Sequence, residues 1–385
     1  MSHHSQAFDQ WIRTRFVDLN TELESLYQQQ NFPGDAACCS HSQKQVLQSE
    51  GLVFIRDLLA EGNTDEGFDA AFDLLGNVGF YMAACRRHML TEQSSPLKDA
   101  AALAMHLGAS LGVTPRFATS HLTTHNSAIN GTYKRFTNLS DEQIFLDFNT
   151  RGIFAYKQAA DALMQILPLG ISHPVTEMLL VNTKRALEDV FSFNQVLFDQ
   201  LDASAFFYHV RPYYKPYHVG MREYRGANAG DFAGINIVDM LLGLCQANDA
   251  SYSQLLVDKF LYMRPEDQVV LRECMRQESL TDRFLDFTTE ERRQPWYKKH
   301  LELFLQVCQA HSKAARQHHD QLVRKFIQEP SKKLDASSLE DITASGPPLH
   351  ELIKALERLR DLRMAVERDD IPSRFRDLEF LRSTL

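Results

Sequence analysis

Long apolar runs are missing from this 385-residue chain. None approaches the ~18 consecutive apolar residues that a membrane span requires, so no membrane association is expected. The opening MSHHSQAFDQWIRTRF lacks the apolar core of a signal peptide. Cysteine is sparse: six residues, scattered apart from the neighbours Cys38 and Cys39. That spacing is no disulfide framework and offers no CxxC pair for structural zinc, so a reducing cytoplasm is the expected location. Positive charge is not in surplus either. A net charge of -9 argues against a nucleic-acid partner, which calls for a basic face, and no polybasic cluster suggests a membrane-surface anchor. Internal repeats are absent, and alternating strand patterns with hairpin turns are nearly so.

What the chain does have is a 44% share of hydrophobic residues, enough for a sizeable core, arranged at helical spacing. The segments 67–90, 141–167 and 175–201 repeat apolar residues at three- and four-residue steps. Further helices are expected at 5–31, 98–112, 232–247, 249–263, 291–328 and 348–367, with glycine and proline marking the gaps. The fold class is therefore all-α. A smaller N-terminal helical domain is expected over 1–115, a crossover over 116–140 and a larger helical domain over 141–385. Two stretches are less regular: the polar, turn-rich 114–136 and the glycine- and aromatic-rich 211–234. A glycine-rich loop between long helices lets backbone approach a ligand closely.

The most informative helix is 291–328. At about 100° per residue, Phe304, Cys308, His311, Ala315, Leu322 and Phe326 share one stripe. His318 and His319 fall on either side of its centre, so spacing does not choose between them. A neutral imidazole is a common axial ligand of haem iron. Cys308 is a rival only as a thiolate, and it lies eleven residues, about 16 Å, before His319. No glycine-rich loop of the cytochrome P450 kind surrounds it, and it reads as a small core residue. His121 and His125 are four apart, as in a zinc pair, but no third ligand accompanies them.

The run Arg316-Gln-His-His319-Asp-Gln-Leu-Val-Arg-Lys-Phe-Ile327 resembles the proximal helix of the indoleamine 2,3-dioxygenases, with its Arg-x-x-His and following aliphatic-Val-x-Lys-aromatic-Ile. That register implies His319 as the iron ligand and Arg316 as a propionate partner. Ala205-Phe206-Phe207-Tyr208-His209-Val210-Arg211 is similar to the segment whose aromatics pack on the indole and whose arginine holds the substrate carboxylate. Gly226-Ala-Asn228-Ala-Gly230, leading on to Asp239-Met-Leu-Leu-Gly243, resembles the loop beside the haem edge, with Asn228 in place of a serine. Ser345-Gly346 resembles the small-residue loop that closes over substrate. Gly79 to His88, Arg211 to Gly220 and the crossover residues His121 and Asn126 look like segments of the monodechloroaminopyrrolnitrin synthase family of the same superfamily.

The resemblance implies haem b with its iron, dioxygen as co-substrate and a small aromatic amino acid as substrate. Tryptophan or a halogenated tryptophan would be cleaved or rearranged at the indole in a haem-dependent oxygenase. Implied roles fall to His319, Arg316, Asn228 and Gly230 for the cofactor, and to Arg211, Phe206, Phe207 and Ser345 for the substrate. Hydroxylation of another amino acid and haem binding without turnover are the alternatives. The sequence leaves monomer and dimer open.

Overall fold

Apolar residues at three- and four-residue spacing bury best as helices, and the fold is all-α, as the spacing predicts. The structure is a computed structural model and describes residues 2–29, 36, 41–62, 67–90, 96–228, 230–332 and 348–385. The first helices are α1 (His3–Arg13), α2 (Arg15–Gln28), α3 (His41–Glu61), α4 (Phe68–Arg87), α5 (Pro96–Leu111), α6 (Ser140–Leu169) and α7 (Val175–Gln200). A short hairpin follows, β1 (Tyr217–Val219) with β2 (Arg222–Tyr224) antiparallel to it. Then come α8 (Ala233–Leu242), α9 (Ala250–Phe260), α10 (Pro265–Cys274), α11 (Leu280–Leu285), α12 (Pro295–Gln317), α13 (Leu349–Arg363) and α14 (Phe375–Ser383).

Several boundaries differ from the periodicity. The helix expected over 5–31 is two helices, because Thr14 leaves helical geometry at φ -125°, ψ -91°. α3 has only a thin buried stripe of Leu47, Ile55 and Leu58, and its exposed Val53 blurs the pattern, so sequence spacing missed it. α8 stops five residues early at Gly243, whose φ of +77° is left-handed and ends the helix. Local chemistry sets other ends: Asp249 and Ser279 accept from the backbone N–H of Tyr252 and Asp282, and Pro265 and Pro295 open α10 and α12.

The chain divides into two compact units, each discontinuous in sequence. One comprises Met1–Leu146, Leu201–Asp231 and Pro330–Leu349; the other comprises Asp147–Gln200, Phe232–Glu329 and His350–Leu385. The first unit has an aromatic core in which Phe136 stacks on Tyr213 at 4.5 Å and meets Phe80 edge-on at 5.1 Å. Its crossover residues are fixed by charge: Asp9 accepts from Arg13 at 2.6 Å, Lys134 at 2.8 Å and Asn77 at 3.2 Å. Burial disfavours that carboxylate, but the Lys134 ammonium and the Arg13 guanidinium outweigh it and hold Asp9 below the usual range. α4 passes the crossover so closely that a Cβ on Gly79 would lie 2.2 Å from the Phe117 nitrogen. Only glycine fits there.

The second unit packs α7 along α12, burying Leu187 and Val190 together with Phe304 and Val307. Beyond Gln317 the α12 backbone widens into a π-helix, His318–Gln328. Its i to i+5 bonding takes more residues per turn, so the 100° spacing of a regular helix no longer applies at the two histidines.

Candidate functional site

In the first unit, Asp202 caps a turn by accepting from Ala205 N–H at 2.7 Å, and the chain then runs through a π-turn (Phe206–Val210) into a 3₁₀ turn (Arg211–Tyr214). Phe206 packs on Phe145 with ring centroids 4.9 Å apart. Phe207 and Arg211 are both buried, and the guanidinium lies 5.3 Å over the Phe207 ring. Among the described residues the Arg211 side chain has no hydrogen-bond or ion-pair partner, only the face of Phe207. Burial without a counter-ion pushes the guanidinium down to about 10, which still leaves it charged at neutral pH. A buried, unpaired cation against an aromatic face is costly unless an anion joins it.

The glycine-rich loop of the same unit is held by its own side chains. Arg225 forms two bonds with the Asp231 carboxylate, at 3.0 and 2.8 Å, and Asp231 also accepts from Asn228 N–H at 3.1 Å. The Asn228 side-chain oxygen accepts from Gly230 N–H at 2.9 Å, and the Thr119 hydroxyl donates to the Asn228 carbonyl at 2.5 Å. The amide that stands in place of serine is thus partly engaged in shaping its own turn. Ser345 lies outside the described residues.

In the second unit, His319 is buried, with Nδ1 3.2 Å from the Asp320 carboxylate and 3.2 Å from Arg360 Nη1. Arg360 also donates to Asp320, at 3.3 Å, and to Asp361, at 2.8 Å. One nitrogen cannot both donate and accept; with Asp320 as its acceptor, Nδ1 carries the proton and Nε2 presents its lone pair. That Nε2 is buried and has no partner among the described residues. An orphaned imidazole nitrogen with a carboxylate on its other side is the donor arrangement that suits an axial iron ligand. His318 has a different setting. It reaches accessible space, yet protein surrounds it closely, and burial holds its imidazole down at about 4, reinforced by Arg363. Arg316 is largely exposed and meets Asp320 at 3.4 Å, beside a groove that also includes Lys184, Glu188 and Lys313. Arg316 and His319 therefore share one carboxylate, while Arg316 stays on the solvent side.

Underneath, Asp239 on α8 is fully buried and collects four hydrogen bonds: His311 Nε2 at 2.7 Å, the Tyr252 hydroxyl at 2.8 Å, and Arg363 Nε and Nη2 at 2.8 and 2.7 Å. This cluster ties α8, α9, α12 and α13 together. Sequence reasoning gave none of these residues a role. The only signal was that Asp239 stands inside the Asp-x-Leu-Leu-Gly match and His311 on the buried stripe.

Other candidates resolve as structure. The His121 ring stacks on Phe72 at 4.0 Å, with Nδ1 accepting from Ala118 N–H and Nε2 donating to the Phe72 carbonyl, so both nitrogens are used. Among the described residues no group of three or more His, Cys, Asp or Glu is placed to hold a metal ion. Cys308 is buried and its thiol is pushed up to about 12 by burial, the opposite of a thiolate ligand. No helix among the described residues is long and apolar enough to cross a membrane.

The family model described as monodechloroaminopyrrolnitrin synthase PrnB matches residues 2–385. With a match of that length the chain belongs to this family, whose members are haem-dependent oxidative enzymes of the indoleamine and tryptophan dioxygenase-like superfamily.

Proposed function

We propose that this protein is a haem-dependent oxygenase that cleaves or rearranges the indole of tryptophan or of a tryptophan-like amino acid, a chlorinated one included, with dioxygen as co-substrate. The observation that carries the substrate class is Arg211, a buried guanidinium with no counter-ion among the described residues, seated over Phe207. A substrate carboxylate would supply the missing anion through two parallel bonds, each hydrogen bond to a charged group contributing roughly 1.5–3 kcal/mol. The face of Phe207 limits the rotamers of the guanidinium, and Phe206 offers an apolar wall for an indole.

Haem b, when bound, supplies the iron chemistry with dioxygen. The chain's own residues hold the cofactor, orient the substrate and exclude water. For the axial position, the orphaned Nε2 of His319 and the Asp320 carboxylate on its Nδ1 support His319, with Arg316 as a propionate partner. A second reading has its own observation: His318, unlike its buried neighbour His319, is exposed along its side chain. Asn228 and Gly230 then serve by shaping the loop.

Two measurements test this. The His318→Ala and His319→Ala proteins are loaded with haem and their ferrous–CO spectra recorded; the ligand is the residue whose loss abolishes the histidine-ligated spectrum. If neither variant differs from wild type, the axial assignment is wrong. A tryptophan titration followed by the Soret band tests Arg211. Affinity in Arg211→Ala should fall about tenfold or more, from the loss of charge-assisted bonds, and unchanged affinity removes the carboxylate clamp.

A further inference from the structure

The segment that carries Arg211 is gripped from behind by side chains that the substrate reading does not use. At the C-terminal end of α4, Arg86, Arg87 and the adjoining His88 each reach it. Arg86 Nε donates to the Pro216 carbonyl at 3.0 Å, Arg87 Nη2 donates to the Tyr208 carbonyl at 3.2 Å, and His88 Nε2 lies 3.4 Å from the Tyr213 hydroxyl. Arg87 is itself locked by two parallel bonds to the Glu24 carboxylate on α2, at 2.6 and 2.7 Å. That carboxylate also accepts from His209 Nδ1, at 2.8 Å. Glu24 is fully buried, and Arg87 and His209 nearly so.

The backbone gives this grip a direction. In a π-turn of roughly four to five residues per turn, Phe207 and Arg211 fall on one side while His209 falls on the other. The contacts agree: Arg211 lies over Phe207, and His209 turns to Glu24. One side of the turn is therefore bolted to α2 and α4 by charge-assisted bonds, and the other presents a guanidinium with no partner among the described residues. Such bonds are the strong and geometrically selective ones. An unpaired buried cation that is free to swing would seek water; one on a fixed turn stays aimed.

We infer that the Glu24–Arg87–His209 cluster is the positioning device that aims Arg211 at the substrate carboxylate, an inference that rests on the clamp reading of Arg211. These are positioning residues, since their bonds go to one another and to the backbone of the turn that carries Arg211. The cluster sets affinity for the carboxylate and leaves affinity for the ring alone.

The test compares L-tryptophan with tryptamine, which has the same indole and no carboxylate, by calorimetric titration of haem-loaded protein. Glu24→Gln removes the shared carboxylate charge. His209→Phe is the gentler change, because it leaves the Glu24–Arg87 pair intact and keeps the test open if Glu24→Gln does not fold. His209→Gln retains a donor for Glu24. In His209→Phe, tryptophan should bind roughly tenfold more weakly, the loss of about one charge-assisted bond, with tryptamine within about twofold of wild type. His209→Gln should recover most of the tryptophan affinity. Equal weakening of both ligands, or no change in either, overturns the inference. Arg211→Ala in the same assay separates the two ideas. If it spares tryptophan affinity, the clamp reading itself has failed; if it weakens tryptophan while His209→Phe does not, only the positioning role has failed.

Discussion

Asp239→Asn puts the buried cluster of the second unit to a quantitative test. The wild-type carboxylate receives four donors within 2.8 Å, from His311, Tyr252 and both bonds of Arg363. Burial disfavours the charge, but Arg363 and His311 outweigh it and hold Asp239 well below the usual carboxylate range. Asparagine keeps the shape, turns one acceptor into a donor where donors already converge, and leaves the Arg363 charge uncompensated. Removing one partner of a buried pair costs about 3–5 kcal/mol, or roughly two to nearly four decades in the folded-to-unfolded ratio. Arg363→Met strands the carboxylate instead and should cost a similar amount. The double variant Asp239→Asn/Arg363→Met strands neither, so its cost should fall short of the sum by about 1–3 kcal/mol. Urea unfolding followed by helical circular dichroism gives each value from the midpoint at unchanged m. The sign with pH follows from the lowered folded value: the stabilisation is present above the ordinary carboxylate value, about 4, and is lost as pH falls below it. The gap between wild type and Asp239→Asn should therefore narrow in acid. Single variants costing less than about 1 kcal/mol, or costs that add within about 0.5 kcal/mol, would refute the reasoning.

Gly79→Ala places a Cβ 2.2 Å from the Phe117 nitrogen, and the overpacking should cost about 1–3 kcal/mol in the same urea assay; a loss under about 0.5 kcal/mol means that α4 has room to move. His121 is held neutral, its value lowered from 6.5 to about 3 by burial, so the unfolded chain binds the extra proton first and stability drains as pH falls between those values. His121→Gln should show a shallower decline over that window, and an equal slope counts against the account. The described free cysteines, Cys85, Cys245, Cys274 and Cys308, are all buried with raised thiols, so a thiol reagent should label them only as fast as the protein unfolds. Rapid labelling of Cys308 in folded protein would contradict that picture.

The all-α fold was legible because the spacing of residues such as Leu179, Leu187 and Val190 is a local property of the chain. Helix ends were less so. The break at Thr14 leaves no glycine or proline to announce it, and α3 buries too thin a stripe to dominate its own composition. The segment from Phe206 to Arg211 stood out by its residue types, and its burial beside an unpaired charge is consistent with the role inferred for it. The supporting clusters were opaque. Glu24 lies 63 positions from Arg87 and 185 from His209, and nothing in a linear pattern links them. The same holds for Asp239, His311 and Arg363, each unremarkable within its own helix. The choice between His318 and His319 shows another limit, because the helix changes its winding at that very point.

The interleaving of the two units has a consequence for how the protein comes into being. Each unit is assembled from three separate stretches of chain, so the first is not complete until residues 201–231, and then 330–349, have been made. A ribosome releasing this polypeptide from its N-terminus cannot finish one unit before starting the next. Neither unit corresponds to a contiguous fragment that a cloning boundary would isolate. Nascent chains halted near residue 146 should expose the apolar faces of α1, α4 and α5 and lean on chaperones. Engineering by domain exchange would have to transplant all three stretches together.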